Sequence, residues 1–240
     1  VNPQGWLFGS AGNTYLVEKM PLSPSQKEIL RRAIRDYSFP PELYDFILDR
    51  PDPQPDTRAV EAKIKADLIC GDPKRVKNGL SNVLYWGFAR MAIRDTRVGV
   101  FRNNVTDDGL DRAAKLFCTS ISPPLTAIGK LELPQFSGVS FVSKIRMFLN
   151  PETSATLDRQ IMKIHRARRA TVLAKVRVYP TQIPVNSQNA EAYELWCRRM
   201  VEISTSYFGG NFRAADVERG FFQLVQNDEV SLAGEILENA

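Results

Sequence analysis

The 240-residue chain is poor in the residues that build metal and disulfide sites: it has three cysteines, Cys70, Cys118 and Cys197, and one histidine, His165. The cysteines are widely spaced and none belongs to a C-x-x-C pair. No side-chain metal site or disulfide framework is expected, and the thiols suit a reducing cytoplasm. No apolar run approaches the roughly 18 residues a membrane-spanning helix requires, and no charged-then-apolar segment marks a secretory leader. The expectation is a soluble, cytoplasmic protein with no membrane partner. Internal repeats and low-complexity tracts are lacking too, and between Asp158 and Glu191 there is no acidic residue at all.

What is present is enough apolar sequence, 43% hydrophobic against 25% charged, to bury a substantial core. The net charge is +5, a mild lean toward polyanions whose placement matters more than its size. Lys130, Lys144, Arg146, Arg159, Lys163, Arg166, Arg168, Arg169, Lys175 and Arg177 face only Glu132, Glu152 and Asp158 over the same stretch. This one segment carries more than the whole excess of charge.

Helical signals run almost from end to end. Ser23-Pro24-Ser25-Gln26 has the residues of a capping box, and Ile29, Leu30, Ala33, Ile34 and Tyr37 form the stripe that follows. Leu43, Phe46 and Ile47 predict a short helix after Pro40-Pro41, before the prolines at 51, 53 and 55 impose a stiff turn. Asp56 caps a helix running to Gly71, and Asp72-Pro73 opens a central apolar helix through Trp86, Phe88 and Met91. Thr106-Asp107-Asp108 opens another. Two final helices span about 190–226, split by Gly209-Gly210. Only 171–178 resembles a strand, and its basic alternation fits a helix end or extended loop equally well. Residues 1–20 read as an irregular arm. The expected architecture is mainly α: residues 1–240 as one compact unit of two packed helical lobes with a cleft.

Within it, residues 125–161 read as a short helix, a tight turn through Phe136-Ser137-Gly138-Val139-Ser140, and a second helix to Leu149. A stop at Asn150-Pro151 follows, then Leu157-Asp158-Arg159-Gln160-Ile161. A turn built from Gly and Ser lets backbone N–H groups approach a phosphate, and the following helix N-terminus adds favourable partial charge. An aspartate flanked by Arg159 and Lys163 suits reaction at a DNA sugar: cations hold the strand while the carboxylate stabilises positive charge at C1′ or activates water. The competing reading of Asp158 is a helix N-cap with an arginine partner.

This stretch resembles the helix-hairpin-helix DNA glycosylase superfamily, whose hairpin is L-P-G-V-G-like and whose catalytic Asp follows in a V-D-x-x-I context. The resemblance covers residues 125–161 and implies a two-lobed glycosylase-like fold with a DNA-binding cleft, the hairpin motif at about 125–149 and the Asp segment at about 157–161. It implies that Ser137, Gly138, Val139 and Ser140 grip a phosphate, with a monovalent cation at the hairpin backbone as the one candidate cofactor. It makes Asp158 the catalytic carboxylate. Members that also cut the strand carry a Lys nucleophile that here falls near Ser140, while Lys144 lies one turn further on the same face. Lys144 is therefore a candidate catalytic amine whose alternative is a phosphate or ion-pair contact, and a monofunctional enzyme leaving an abasic site is expected.

Arg159, Lys163, His165, Arg166, Arg168 and Arg169 are candidate phosphate contacts, their alternative being a solvated helical face. Asp216 and Glu218 read as structural partners of Arg213 and Arg219. Base flipping also needs a wedge and a pocket, for which Tyr85 and Trp86 are the aromatic candidates, with Asn82 and Arg90 as polar neighbours and Phe88 as core. The expected function is thus a monomeric DNA N-glycosylase on duplex DNA, in base-excision repair or in antiphage defence against hypermodified bases. A non-catalytic DNA-binding module and a helical adaptor are the alternatives.

Overall fold

A computed structural model describes residues 21–240; the expected irregular arm at 1–20 lies outside the described residues. Helix α1, Pro24–Arg35, opens with the capping box read from sequence: Ser23 Oγ accepts the Gln26 N–H and Gln26 Oε1 accepts the Ser23 N–H. Its buried face, Leu30 and Ala33, packs on the helix Ala214–Gln226 from the far end of the chain. A glycine makes that approach possible, because a Cβ on Gly220 would lie 2.6 Å from Ile34 Cγ1.

Four helices follow: α2 (Thr57–Leu68), α3 (Pro73–Gly87), α4 (Arg94–Asn104) and α5 (Asp107–Thr119). Asp56, Asp72 and Thr106 each accept a first-turn N–H, so three of the four starts are capped as the sequence predicts. Helix α3 is central to this group. Val76, Leu80, Val83 and Leu84 are fully buried, and the helix touches α2, α4, α5 and the later α7. A turn over 130–138 joins α6 (Leu125–Gly129) to α7 (Val139–Leu149), and α7 is buried along most of its length against α2 and α3.

The rest of the chain comprises α8 (Met162–Ala167), a 3-10 turn (Val172–Lys175), α9 (Ser187–Phe208), α10 (Ala214–Gln226) and α11 (Val230–Asn239). Here α10 packs on α9 and α11, and α11 packs on α8. The fold is therefore mainly α, as expected, with α1 joined to the C-terminal helices.

The structure corrects several local expectations. The short helix around Leu43, Phe46 and Ile47 is instead an antiparallel hairpin, β1 (Glu42–Asp45) with β2 (Arg50–Pro53). Asp45 Oδ1 captures the N–H groups of Ile47 and Leu48, and Asp49 takes a φ of 51°, both of which compete with a helix. Pro51 and Pro53 fit because a two-stranded ribbon has open edges that need no donor. The segment 171–178 is not a strand: it is the 3-10 turn, followed by extended chain at Arg177 whose N–H and C=O are both held by the Asn189 side chain. The central apolar helix stops at Gly87, short of Phe88 and Met91. Helices α4 and α11 complete the description and have no counterpart in the sequence reading.

Candidate functional site

The loop after α7 is pinned from two sides. Leu157 N–H donates to Ser143 Oγ on α7 (3.0 Å), while Trp196 Nε1–H on α9 donates to the Thr156 carbonyl (2.9 Å). Ala155 N–H donates to Cys197 Sγ (3.4 Å), and burial pushes that thiol up to about 11, so it stays protonated and structural. Ser154, Ala155, Thr156 and Leu157 are all buried. This rigid stem delivers Asp158.

The two carboxylate oxygens of Asp158 have different partners. Oδ1 accepts the N–H groups of Gln160 (2.9 Å) and Ile161 (3.1 Å), while Oδ2 lies 3.6 Å from Lys144 Nζ. One oxygen caps the turn that leads into α8 and the other faces a cation, which is the arrangement of the competing reading, with Lys144 in place of an arginine as the partner. Lys144 Nζ also donates to the Ser140 carbonyl (3.2 Å), so it is held between two acceptors.

The pair lines a cavity of about 140 Å³. Its walls come from the chain after α1 (Tyr37, Phe39), the end of α3 (Trp86, Gly87, Arg90, Met91), α7 (Lys144), the pinned loop (Thr156, Asp158, Gln160) and α10 (Glu218, Phe222, Gln226). Trp86 is wedged between Phe39 and Phe148, at ring-centre distances of 4.6 and 5.2 Å. A Cβ on Gly87 would lie 2.6 Å from Phe141 Cε1 and 3.3 Å from Lys144 Cδ. The missing side chain is what lets α3 end against α7 with the lysine stem between them. Two polar atoms of this lining, Trp86 Nε1 and Gln160 Oε1, are buried without a hydrogen-bond partner among the described residues.

Glu218 departs from its expected role. Asp216 behaves as predicted, pairing with Arg213 at 2.7 Å and Arg219 at 3.5 Å. The second acid of that network is Glu61 on α2, bound by Arg213 at 2.6 Å and Arg219 at 2.5 Å. Glu218 forms no ion pair among the described residues; it is 4% exposed and lines the cavity instead. Burial first, and the charge of Asp158 second, push its carboxyl up to about 8, with Arg219 and Lys144 pulling it back. The sequence reading missed this because neighbouring residues on a helix point about 100° apart. Glu218 shares its face with Phe222 and Gln226, four and eight residues on, not with Arg219.

The hairpin is partly occupied. Glu132 and Gln135 make its turn at φ 53° and 70°, but Val139 N–H donates to the Ile183 carbonyl (2.8 Å) and Gly138 bridges to Pro184. Val139 is also fully buried, which withdraws it from the expected phosphate grip. Ser137 stays exposed, and Ser140 is half-buried at the start of α7. Asn189, buried in α9, fixes the covering segment by donating to the carbonyls of Arg177 and Pro184.

Of the basic candidates, Arg159, Lys163, Arg166 and Arg169 are exposed and form no ion pair among the described residues. Arg168 is engaged: it lies 3.7 Å from Glu238, and its stem covers Gly234. His165 is half-buried, with Nδ1 unpartnered among the described residues.

Two wedge candidates are placed elsewhere. Tyr85 is 2% exposed, donates to Glu42 (2.8 Å) and carries the Arg94 guanidinium over its ring. Asn82 holds the Tyr44 backbone through both of its amide atoms. Both fasten the hairpin to α3, and neither lines this cavity; Trp86 does. Phe88 packs on Phe141, whereas Arg90 reaches the Ser38 carbonyl at the cavity rim. The exposed apolar side chains nearest the cavity are Met91, which lines it, and Ile93, 52% and 45% exposed.

Among the described residues, no helix is long and apolar enough to cross a membrane, and no cluster of three or more His, Cys, Asp or Glu is arranged to hold a metal ion. No family model, curated protein or solved structure matches this chain.

Proposed function

We propose that this protein is a monofunctional DNA N-glycosylase that receives a flipped base in the aromatic cavity and breaks its N-glycosidic bond with Asp158. The observation that carries the reading is the position of Asp158 Oδ2: in the wall of a cavity lined by four aromatic rings, 3.6 Å from Lys144, with the exposed Arg159 next in the chain and the exposed Lys163 and Arg166 on the helix that follows. The carboxylate stabilises the positive charge that develops at C1′ as the base departs. Lys144, 3.6 Å from that carboxylate, screens it from the approaching phosphate.

The cavity's size bears on the substrate. A cavity of about 150 Å³ takes up a benzene ring, and this one is about 140 Å³. It suits a damaged or lightly modified base better than one with a bulky substituent, which supports the repair reading over defence against hypermodified DNA. Arg159, Lys163, Arg166 and Arg169 supply the phosphate contacts, with Ser137 and Ser140 at the hairpin. Met91 enters the gap left by the flipped base, since it is the exposed apolar side chain at the cavity.

The test is a panel of duplex oligonucleotides, each with one damaged or modified base, incubated with the protein and then heated in alkali. Strand breaks at one base class, appearing only after the alkali, support the reading. Intact strands across the panel, with DNA binding retained, leave a binding module.

A further inference from the structure

Glu218 is a carboxyl group inside the cavity with no cation committed to it. The charged and titratable groups that face it are Asp158 and Lys144 across the cavity, Arg219 beside it on α10, and Tyr37 after α1. The three charged groups are otherwise engaged. Arg219 is bound to Glu61 at 2.5 Å, Lys144 lies against Ser140 and Asp158, and Asp158 is divided between its turn and Lys144. A buried acid without a bonded counter-charge is costly as a packing element, and an apolar residue would fill the position better.

We propose that Glu218 is the general acid of this site, donating a proton to the leaving base while the Asp158 carboxylate faces the sugar. The assignment rests on the glycosylase reading and extends it. As the C1′–N bond breaks, its electron pair passes to the base, which takes the Glu218 proton. A water molecule then forms the new C1′–O bond, and its surplus proton returns to the Glu218 carboxylate. The two acids divide the work because their surroundings differ. Asp158 accepts two N–H groups and lies 3.6 Å from the Lys144 nitrogen, whereas at Glu218 burial and the neighbouring carboxylate outweigh Arg219, Lys144 and the Thr156 N–H and push the carboxyl up. The role implies a substrate base with an acceptor, a ring nitrogen or carbonyl oxygen, on the edge that meets α10.

The experiment measures single-turnover excision from the oligonucleotide selected by the panel, at saturating protein, from pH 5.5 to 9. Wild type is expected to lose rate above the titration of Glu218, tenfold per pH unit. Glu218→Gln is expected to be slower by about 100-fold or more, in the range typical of a lost general acid, and to show no alkaline limb. Carbon-13 resonances of glutamate side chains provide a second readout that needs only the wild-type fold. One carboxyl should titrate near 8 and move when substrate-analogue duplex is added. Excision that is flat to pH 9, unchanged in Glu218→Gln, or accompanied by no high-titrating carboxyl overturns the assignment and leaves the glycosylase reading standing. No excision by wild type at any pH removes both.

Discussion

Lys144 Nζ lies 3.6 Å from Asp158 Oδ2, on the side of the carboxylate away from the oxygen that caps the 160–161 turn. The lysine donates to the Ser140 carbonyl and faces the Asp158 carboxylate at ion-pair distance, so its nitrogen is committed to these two oxygens and not to a sugar. Borohydride reduction during turnover should therefore trap no protein–DNA adduct. A trapped adduct that disappears in Lys144→Ala would show that the amine attacks C1′ and that the enzyme also cuts the strand.

Glu218 also makes stability depend on pH. Its carboxyl moves from an ordinary value of 4.5 to about 8 on folding, so between these limits the folded protein holds a proton that the unfolded chain has released. Stability therefore falls as pH rises through this window and levels off above it. At ~1.4 kcal/mol per unit the loss is on the order of 5 kcal/mol. Urea unfolding at pH 5 and pH 8 should show a smaller difference for Glu218→Gln than for wild type, with the variant the more stable of the two at pH 8. An equal slope in both proteins would contradict the assignment of burial as the cause.

Glu61 bridges α2 to α10 through two arginines that are nearly as buried as itself. Removing one member of such a network leaves charge uncompensated, a loss of about 3–5 kcal/mol. Glu61→Ala should lower the urea midpoint by a corresponding amount, whereas Glu28→Ala, at an exposed pair with Arg31, should shift it by less than about 1 kcal/mol.

The basic residues are not equivalent. Arg166 and Arg169 are exposed and form no ion pair among the described residues, while Arg168 is tied to Glu238. Arg166→Ala and Arg169→Ala should each reduce the slope of log binding constant against log salt by about 1 on duplex DNA. Arg168→Ala should leave that slope close to wild type. Three equal reductions would mean that the Glu238 contact gives way when DNA binds.

Most helices were legible in the sequence because their starts carry caps and their faces carry a period, as at Ser23, Asp56, Asp72 and Thr106. Helix α4 was not, since Val98 and Phe101 are its only buried side chains and no side chain caps it. The hairpin at 42–53 was misread because apolar spacing over six residues fits either period, and the deciding feature, Asp45 holding two N–H groups, is a side-chain contact. Asp158 and Lys144 were legible as a local motif. Glu218, Tyr37 and Phe39 were not, because they reach the cavity only through the packing of α1 on α10. Nothing local distinguishes Glu218 from Asp216 two residues before it.

The most direct test of the central claim compares wild type with Asp158→Asn, which retains an oxygen to cap the 160–161 turn while losing the charge. Both proteins are incubated with genomic DNA from unmodified cells, with the same DNA oxidised or alkylated beforehand, and with DNA from phages carrying modified bases, and abasic sites are counted with an aldehyde-reactive probe. The account predicts abasic sites on one class of DNA with wild type, at least about 100-fold fewer with Asp158→Asn, and undiminished binding by the variant. No abasic sites on any DNA, with salt-sensitive binding intact in both proteins, would contradict it.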